Sequence, residues 1–92
     1  MRVLYDGAVD ALYLPFRRGG RVDRSIVVDI KRIVDLDERG NPVGIEIMGA
    51  SHGVQLSDLV EEYKLQGWAP DFPAIESFRF TAEEGAEAAV DP

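Results

Sequence analysis

The chain has 92 residues, 46% hydrophobic and 29% charged, with no cysteine, a formal net charge of −7 and a pI near 4.5. That length fits one small globular domain, and the missing cysteine excludes disulfides, thiolate chemistry and cysteine-based zinc sites. The acidic balance argues against general binding to nucleic acid or to an anionic membrane, because both need lysine and arginine to neutralise phosphate.

A domain this short buries only about 60–65% of its unfolded surface, so pairing with a second copy is open to it. The opening MRVLYDGAVD carries an early acid and no sustained apolar run, which does not read as a signal peptide. No apolar run approaches the ~18 residues of a membrane span. The expectation is a cytoplasmic protein.

Arg2 to Asp6 reads as a first strand, with Val3 and Tyr5 alternating against Arg2 and Leu4. Asp6-Gly7 signals a turn, and Ala11 to Phe16 returns as the second strand, with Pro15 near its end. Arg17 to Arg24 holds four of the ten basic residues, Arg17, Arg18, Arg21 and Arg24, around Gly19-Gly20, and reads as a loop. Arg24 to Lys31 alternates as a third strand. Ile33 to Asp37 and Val43 to Met48 flank the turn cluster Glu38 to Pro42 and predict a hairpin, with Ile45 and Ile47 on one face and Glu46 and Met48 on the other.

Leu56, Leu59, Val60 and Tyr63 follow i, i+3, i+4, i+7 spacing and predict a helix over residues 56–66, capped by Ser57 or Asp58 and stopped by Gly67. Ala69 to Pro73 reads as a rigid connector, and Ile75 to Thr81 alternates as a sixth strand. The last residues, 82–92, are small and acidic and read as a flexible tail. The predicted fold class is therefore α+β, in one domain over residues 1–81. It is an antiparallel β-meander of about five strands packed against one C-terminal helix, with a sixth strand as an option.

The stretches YDGAVDALYLPF and IVDLDERGNPVGIEIMGAS carry a resemblance to the small prokaryotic proteins of domain of unknown function 2283. Those proteins show a Tyr-Asp…Asp-Ala-Leu-Tyr opening and an Asp-x-Asp-x-x-Gly turn leading into Val-Gly-Ile-Glu-Ile. Matching here are Tyr5, Asp6, Asp10, Ala11, Leu12 and Tyr13, then Asp35, Asp37, Gly40, Val43, Gly44, Ile45, Glu46 and Ile47. The resemblance spans about residues 2–51. Gly7, the arginine-rich loop and everything from residue 56 onward depart from the pattern. The resemblance implies a small α+β or mostly β domain and no agreed activity. Some members are discussed in operon pairs of the toxin–antitoxin kind, which points toward protein binding.

Candidate chemistry is thin. Asp35, Asp37, Gly40 and Glu46 match the spacing of a calcium loop, but Arg39 stands where an oxygen ligand is needed and neither flank reads as a helix. Asp6, Asp10, Asp29, Asp35, Asp37 and Glu46 could gather across the sheet, although their spacing does not force it. His52 is the only histidine, and Ser51 beside it makes no triad. Trp68, Phe72, Phe78 and Phe80 suit either the core or an interface.

The reading favoured by the sequence is a non-enzymatic protein-interaction domain, homodimeric, with no cofactor. The partner-binding candidates are Arg17, Arg18, Arg21, Arg24, Trp68, Phe72, Phe78 and Phe80. Two alternatives are a metal-dependent or ligand-binding protein using the Asp35, Asp37 and Glu46 face, and a nucleic-acid-associated regulator using the arginine loop.

Overall fold

The computed structural model describes residues 1–16, 20–67, 69–82 and 88–90. Strands β1 (Val3–Asp6) and β2 (Ala11–Pro15) form the first hairpin, with Leu4 opposite Tyr13. Strands β3 (Arg24–Val27), β4 (Arg32–Leu36) and β5 (Pro42–Met48) run up and down in series. All pairings are antiparallel, and β5 closes on β2 with Tyr13 opposite Glu46. The sheet order is β3-β4-β5-β2-β1-β6, where β6 is Ala88–Val90.

The fold is α+β, and its sheet differs from a plain meander at one joint. Sequence order suggested that β3 would lie beside β2; β5 lies there instead. The reason is hydrophobic. β5 sends Val43, Ile45 and Ile47 into the core and gains from neighbours on both sides, whereas the short β3 carries Arg24 and Ser25 and tolerates an edge. β3 also ends at Val27, short of the residue 31 expected. Asp29 stops it: its Oδ1 accepts the amides of Lys31 and Arg32 at 2.9 and 2.8 Å and turns the chain.

Alternation sorts the faces. Val3, Tyr5, Leu12, Leu14, Val34, Leu36, Ile45 and Ile47 point to one side and are buried. They are covered by Leu56, Leu59, Leu65, Phe72, Ile75 and Phe80. Each covering side chain is worth about 1.5–3 kcal/mol when fully buried.

That cover comes from two short helices and the residues that flank them, where the sequence suggested one longer helix. Helix α1 is Ser57–Glu62. It stops at Lys64, in the left-handed region at φ 57°, well before Gly67. The Leu65 amide bonds the Val60 carbonyl at 2.8 Å, the six-to-one bond of a Schellman turn. That turn drives Leu65 into the core, which offsets the strain of lysine at positive φ. No side chain caps the start of α1; Glu76 reaches across and accepts the Leu56 amide at 2.8 Å.

Residues 75–81 do not form the strand their alternation suggests. Helix α2, Phe72–Ser77, takes the first three residues of that stretch. Pro73 lies in its first turn, where a preset φ helps and a missing amide costs nothing, and Phe72 and Ile75 are buried at i, i+3 spacing. The sixth strand is found further on. Ala88–Val90, which composition placed in a loose tail, pairs antiparallel with β1, Val3 opposite Val90. The open edge of β1 supplies the backbone donors and acceptors that β6 pairs with.

Candidate functional site

The sheet face away from the helices carries the most concentrated polar group. Asp35 of β4 pairs with Gly44 of β5, and Glu46 two residues on pairs with Tyr13 of β2. Gly44 has no side chain, and the Tyr13 phenol lies over it; a Cβ there would overlap the ring. Tyr13 therefore sits between two carboxylates. Burial raises its pKa first, and the charges of Asp35 and Glu46 add to that. Glu46 is raised too, by burial first and by Asp35 second. Asp35 is only 5% exposed and accepts the Ser25 hydroxyl at 2.6 Å.

This arrangement is a half-sunk acid pair with a phenol between, able to accept hydrogen bonds or a cation from outside. Because Glu46 binds its proton more readily folded than unfolded, its charged form opposes folding. That penalty is full above its raised folded value and absent below its unfolded one. We expect Glu46→Gln to stabilise the fold by about 0.5–1 kcal/mol at neutral pH. The gain should vanish below about pH 4, where the wild-type side chain is protonated in both states. Urea titrations at the two pH values measure it.

Asp37 does not join this face. Its Oδ1 accepts the amides of Arg39 and Asn41, each at 2.9 Å, and Gly40 completes the turn at φ 80°. The calcium-like spacing thus falls on an extended hairpin that keeps Asp35 and Glu46 on one face and turns Asp37 back into its own loop. Among the described residues no group of three or more His, Asp or Glu side chains is placed to hold a metal.

Asp10 has a different task. It stands at φ 55° at the end of the β1–β2 turn. Its Oδ1 accepts the Tyr5 hydroxyl at 2.6 Å and the Ser51 amide at 2.9 Å, and its Oδ2 accepts the Ser51 hydroxyl at 2.6 Å. Its carbonyl accepts the Ala50 amide at 3.2 Å. Burial pushes the Asp10 carboxyl upward, but the Ser51 and Tyr5 bonds outweigh it, with His52 adding, and the pKa ends below the usual range. Ser51 and His52 belong to a 3-10 turn, Ala50–His52, that Asp10 clamps to the first hairpin.

Arg32 clamps the other end. Its guanidinium bonds Asp29 Oδ2 through Nε at 2.9 Å and Nη2 at 2.8 Å, and its Nη1 bonds Asp58 at 2.6 Å and the Gln55 carbonyl at 3.2 Å. These bonds tie β4 to α1 and hold the Asp58 carboxyl below the usual range.

The candidates for partner contact scatter. Arg17, Arg18 and Trp68 lie outside the described residues. Arg21 and Arg24 are exposed. Arg21 shares an open groove with Asp23, Asp37, Glu38 and Arg39, a lining of mixed sign among the described residues. Phe72 and Phe80 are buried inside this chain, with Phe72 6.2 Å from the Phe16 ring and Phe80 5.0 Å from Tyr5. They serve the core. Phe78 is the one of the three candidate phenylalanines at the surface.

Comparison with family models finds a match over residues 2–51 to the family described as protein of unknown function (DUF2283). That is more than half of the chain. The chain belongs to the DUF2283 family. No curated protein and no solved structure matches it. The DUF2283 portion covers the sheet from β1 to β5 and most of the 3-10 turn; α1, α2 and β6 lie beyond it. Its motif residues now divide by task. Tyr5 and Asp10 make the clamp, Asp37 and Gly40 make the turn, and Tyr13, Asp35, Gly44 and Glu46 make the acid face.

One feature of this DUF2283 chain escaped the sequence reading. All four residues of β3 are exposed, and apolar side chains gather along it and beside it: Val22, Ile26, Val27 and Ile30. The alternation in Arg24 to Lys31 predicts a strand and says nothing of where in the sheet it lies. An edge position cannot be read from periodicity, because it depends on which strand the hairpin β4–β5 chooses as its far neighbour. No helix among the described residues is long and apolar enough to cross a membrane.

Proposed function

We propose that this DUF2283 chain is a non-enzymatic protein-interaction domain that works as a homodimer and presents its sheet to a further protein partner. The observation that carries this reading is the apolar exposure around β3, where Ile30 is 93% and Val27 69% accessible. Water-exposed aliphatic residues scattered singly need no explanation, but four along one sheet edge mark a contact surface. The polar groups point the same way. Asp10, Asp37, Arg32 and Glu76 are engaged in holding turns and helices in place. On the acid face the Ser25 hydroxyl donates to Asp35 at 2.6 Å, a bond that ties β3 to β4.

A photo-reactive phenylalanine placed at Ile30 tests the reading in cells. We expect cross-linked protein adducts from position 30 and few from Glu61, an exposed residue of α1. Equal yields from both positions would contradict it.

A further inference from the structure

The homodimer reading can be given a surface. We infer that two copies join through the open edge of β3, pairing antiparallel about a two-fold axis so that one sheet runs through both. This rests on the interaction reading above and adds the interface to it.

The backbone is free to do so. The Val28 amide donates to the Arg32 carbonyl at 2.9 Å, and β3 pairs with β4 in the register Ile26 opposite Val34. In an antiparallel ladder, residues alternate between bonding one neighbour and facing away from it. Even-numbered residues of β3 therefore bond β4, and Ser25 and Val27 direct both their amides and carbonyls outward. β3 is the last strand on its side of the sheet, and no described strand meets those groups.

The side chains fit the same partner. Natural edges are usually blunted by lysine, proline, a bulge or a covering loop. Here the strand places Val27 at 69% and Ile26 at 37% accessibility on its two faces, with Val22 and Ile30 exposed beyond its ends. A two-fold axis brings each of these aliphatic residues to the same segment of the second copy, since one patch serves both sides of such an interface.

Charge selects a second copy at this edge in particular. Two chains of −7 repel over most of their surface. Residues 20–31 carry Arg21, Arg24 and Lys31 against Asp23 and Asp29, a net of +1, which leaves −8 on the remainder. The β3 edge is therefore where two copies approach without opposing net negative charge, and its mixed signs allow each copy's acids to meet the other's bases.

Sedimentation velocity of the full chain over a concentration series tests this. The wild type should show a monomer–dimer equilibrium. Val27→Lys, which puts a charge on the edge, should weaken dimerisation by at least about tenfold. Val27→Pro should do the same by removing an outward amide that no described residue accepts. Val9→Lys, at an exposed position in the β1–β2 turn, should leave the equilibrium unchanged. Circular dichroism melts report that each variant folds. A wild-type dimer that persists in both Val27 variants overturns the β3 interface and leaves the homodimer standing. A wild type that stays monomeric at every concentration overturns both.

Discussion

Asp10→Ala lowers the unfolding free energy by about 3 kcal/mol, and Asp10→Asn by about 1 kcal/mol. Alanine loses all three side-chain bonds, to the Tyr5 hydroxyl and to the Ser51 amide and hydroxyl. It also puts a Cβ without polar compensation at φ 55°. Asparagine tolerates the left-handed region and keeps a carbonyl for two of the donors. Chemical denaturation of the three proteins measures the difference. The wild type should show the matching pH dependence. The folded carboxyl titrates below its unfolded value, so its contribution is complete above the ordinary carboxylate range and is lost as pH falls through the lowered folded pKa. Asp10→Asn should flatten that limb of the stability profile. If Asp10→Ala matches the wild type, the clamp between the first hairpin and the 3-10 turn carries no weight.

Phe72→Ala is expected to cost about 3–5 kcal/mol, the range for an aromatic removed from a packed core. Phe72 is 2% exposed and stacks obliquely on Phe16. A domain of this size has only of order 5–15 kcal/mol of stability, so the variant should unfold well below the wild-type midpoint. Phe78→Ala is the comparison. That ring is 40% exposed and meets Phe80 at 4.8 Å, and its loss should cost less than about 1.5 kcal/mol. Thermal melts of both variants separate a helix that seals the core from an aromatic segment held out for a partner. Equal small losses would show that α2 does not close the sheet.

The sheet strands were legible because period-two alternation survives wherever one face is buried. Ile45 and Ile47 against Glu46 and Met48 needed nothing beyond spacing. The turn at Gly40 and the break at Gly49 were legible for a backbone reason, since both take positive φ. The C-terminal third was not. In IESFRFT the alternation of apolar and polar residues mimics a strand, and the decisive signal was Pro73 with Phe72 and Ile75 three apart. Short helices give periodicity too few turns to declare itself. Strand order was hidden as well, because β2 pairing with β5 over β3 is decided by total burial across the sheet and leaves no local mark.

The candidate site divides the same way. The Asp35, Asp37 and Glu46 spacing suggested one acidic surface, and the pleat kept Asp35 and Glu46 together while the turn took Asp37. Tyr13 completes that surface only because Gly44 leaves room for its ring. A contact across paired strands cannot be seen until the register is known. Asp10 and Ser51 are 41 residues apart, and a bond at that separation appears only in the folded chain. The exposure of the valine and isoleucine residues of β3 was hidden for the same reason.

Amide hydrogen exchange at Ser25 and Val27, followed over a dilution series, tests the central claim most directly. The account predicts slow exchange at both positions in concentrated protein and fast exchange on dilution, while the Val28 amide, bonded to Arg32 within the chain, stays protected throughout. Exchange at Ser25 and Val27 that is fast and unchanged at every concentration would contradict it.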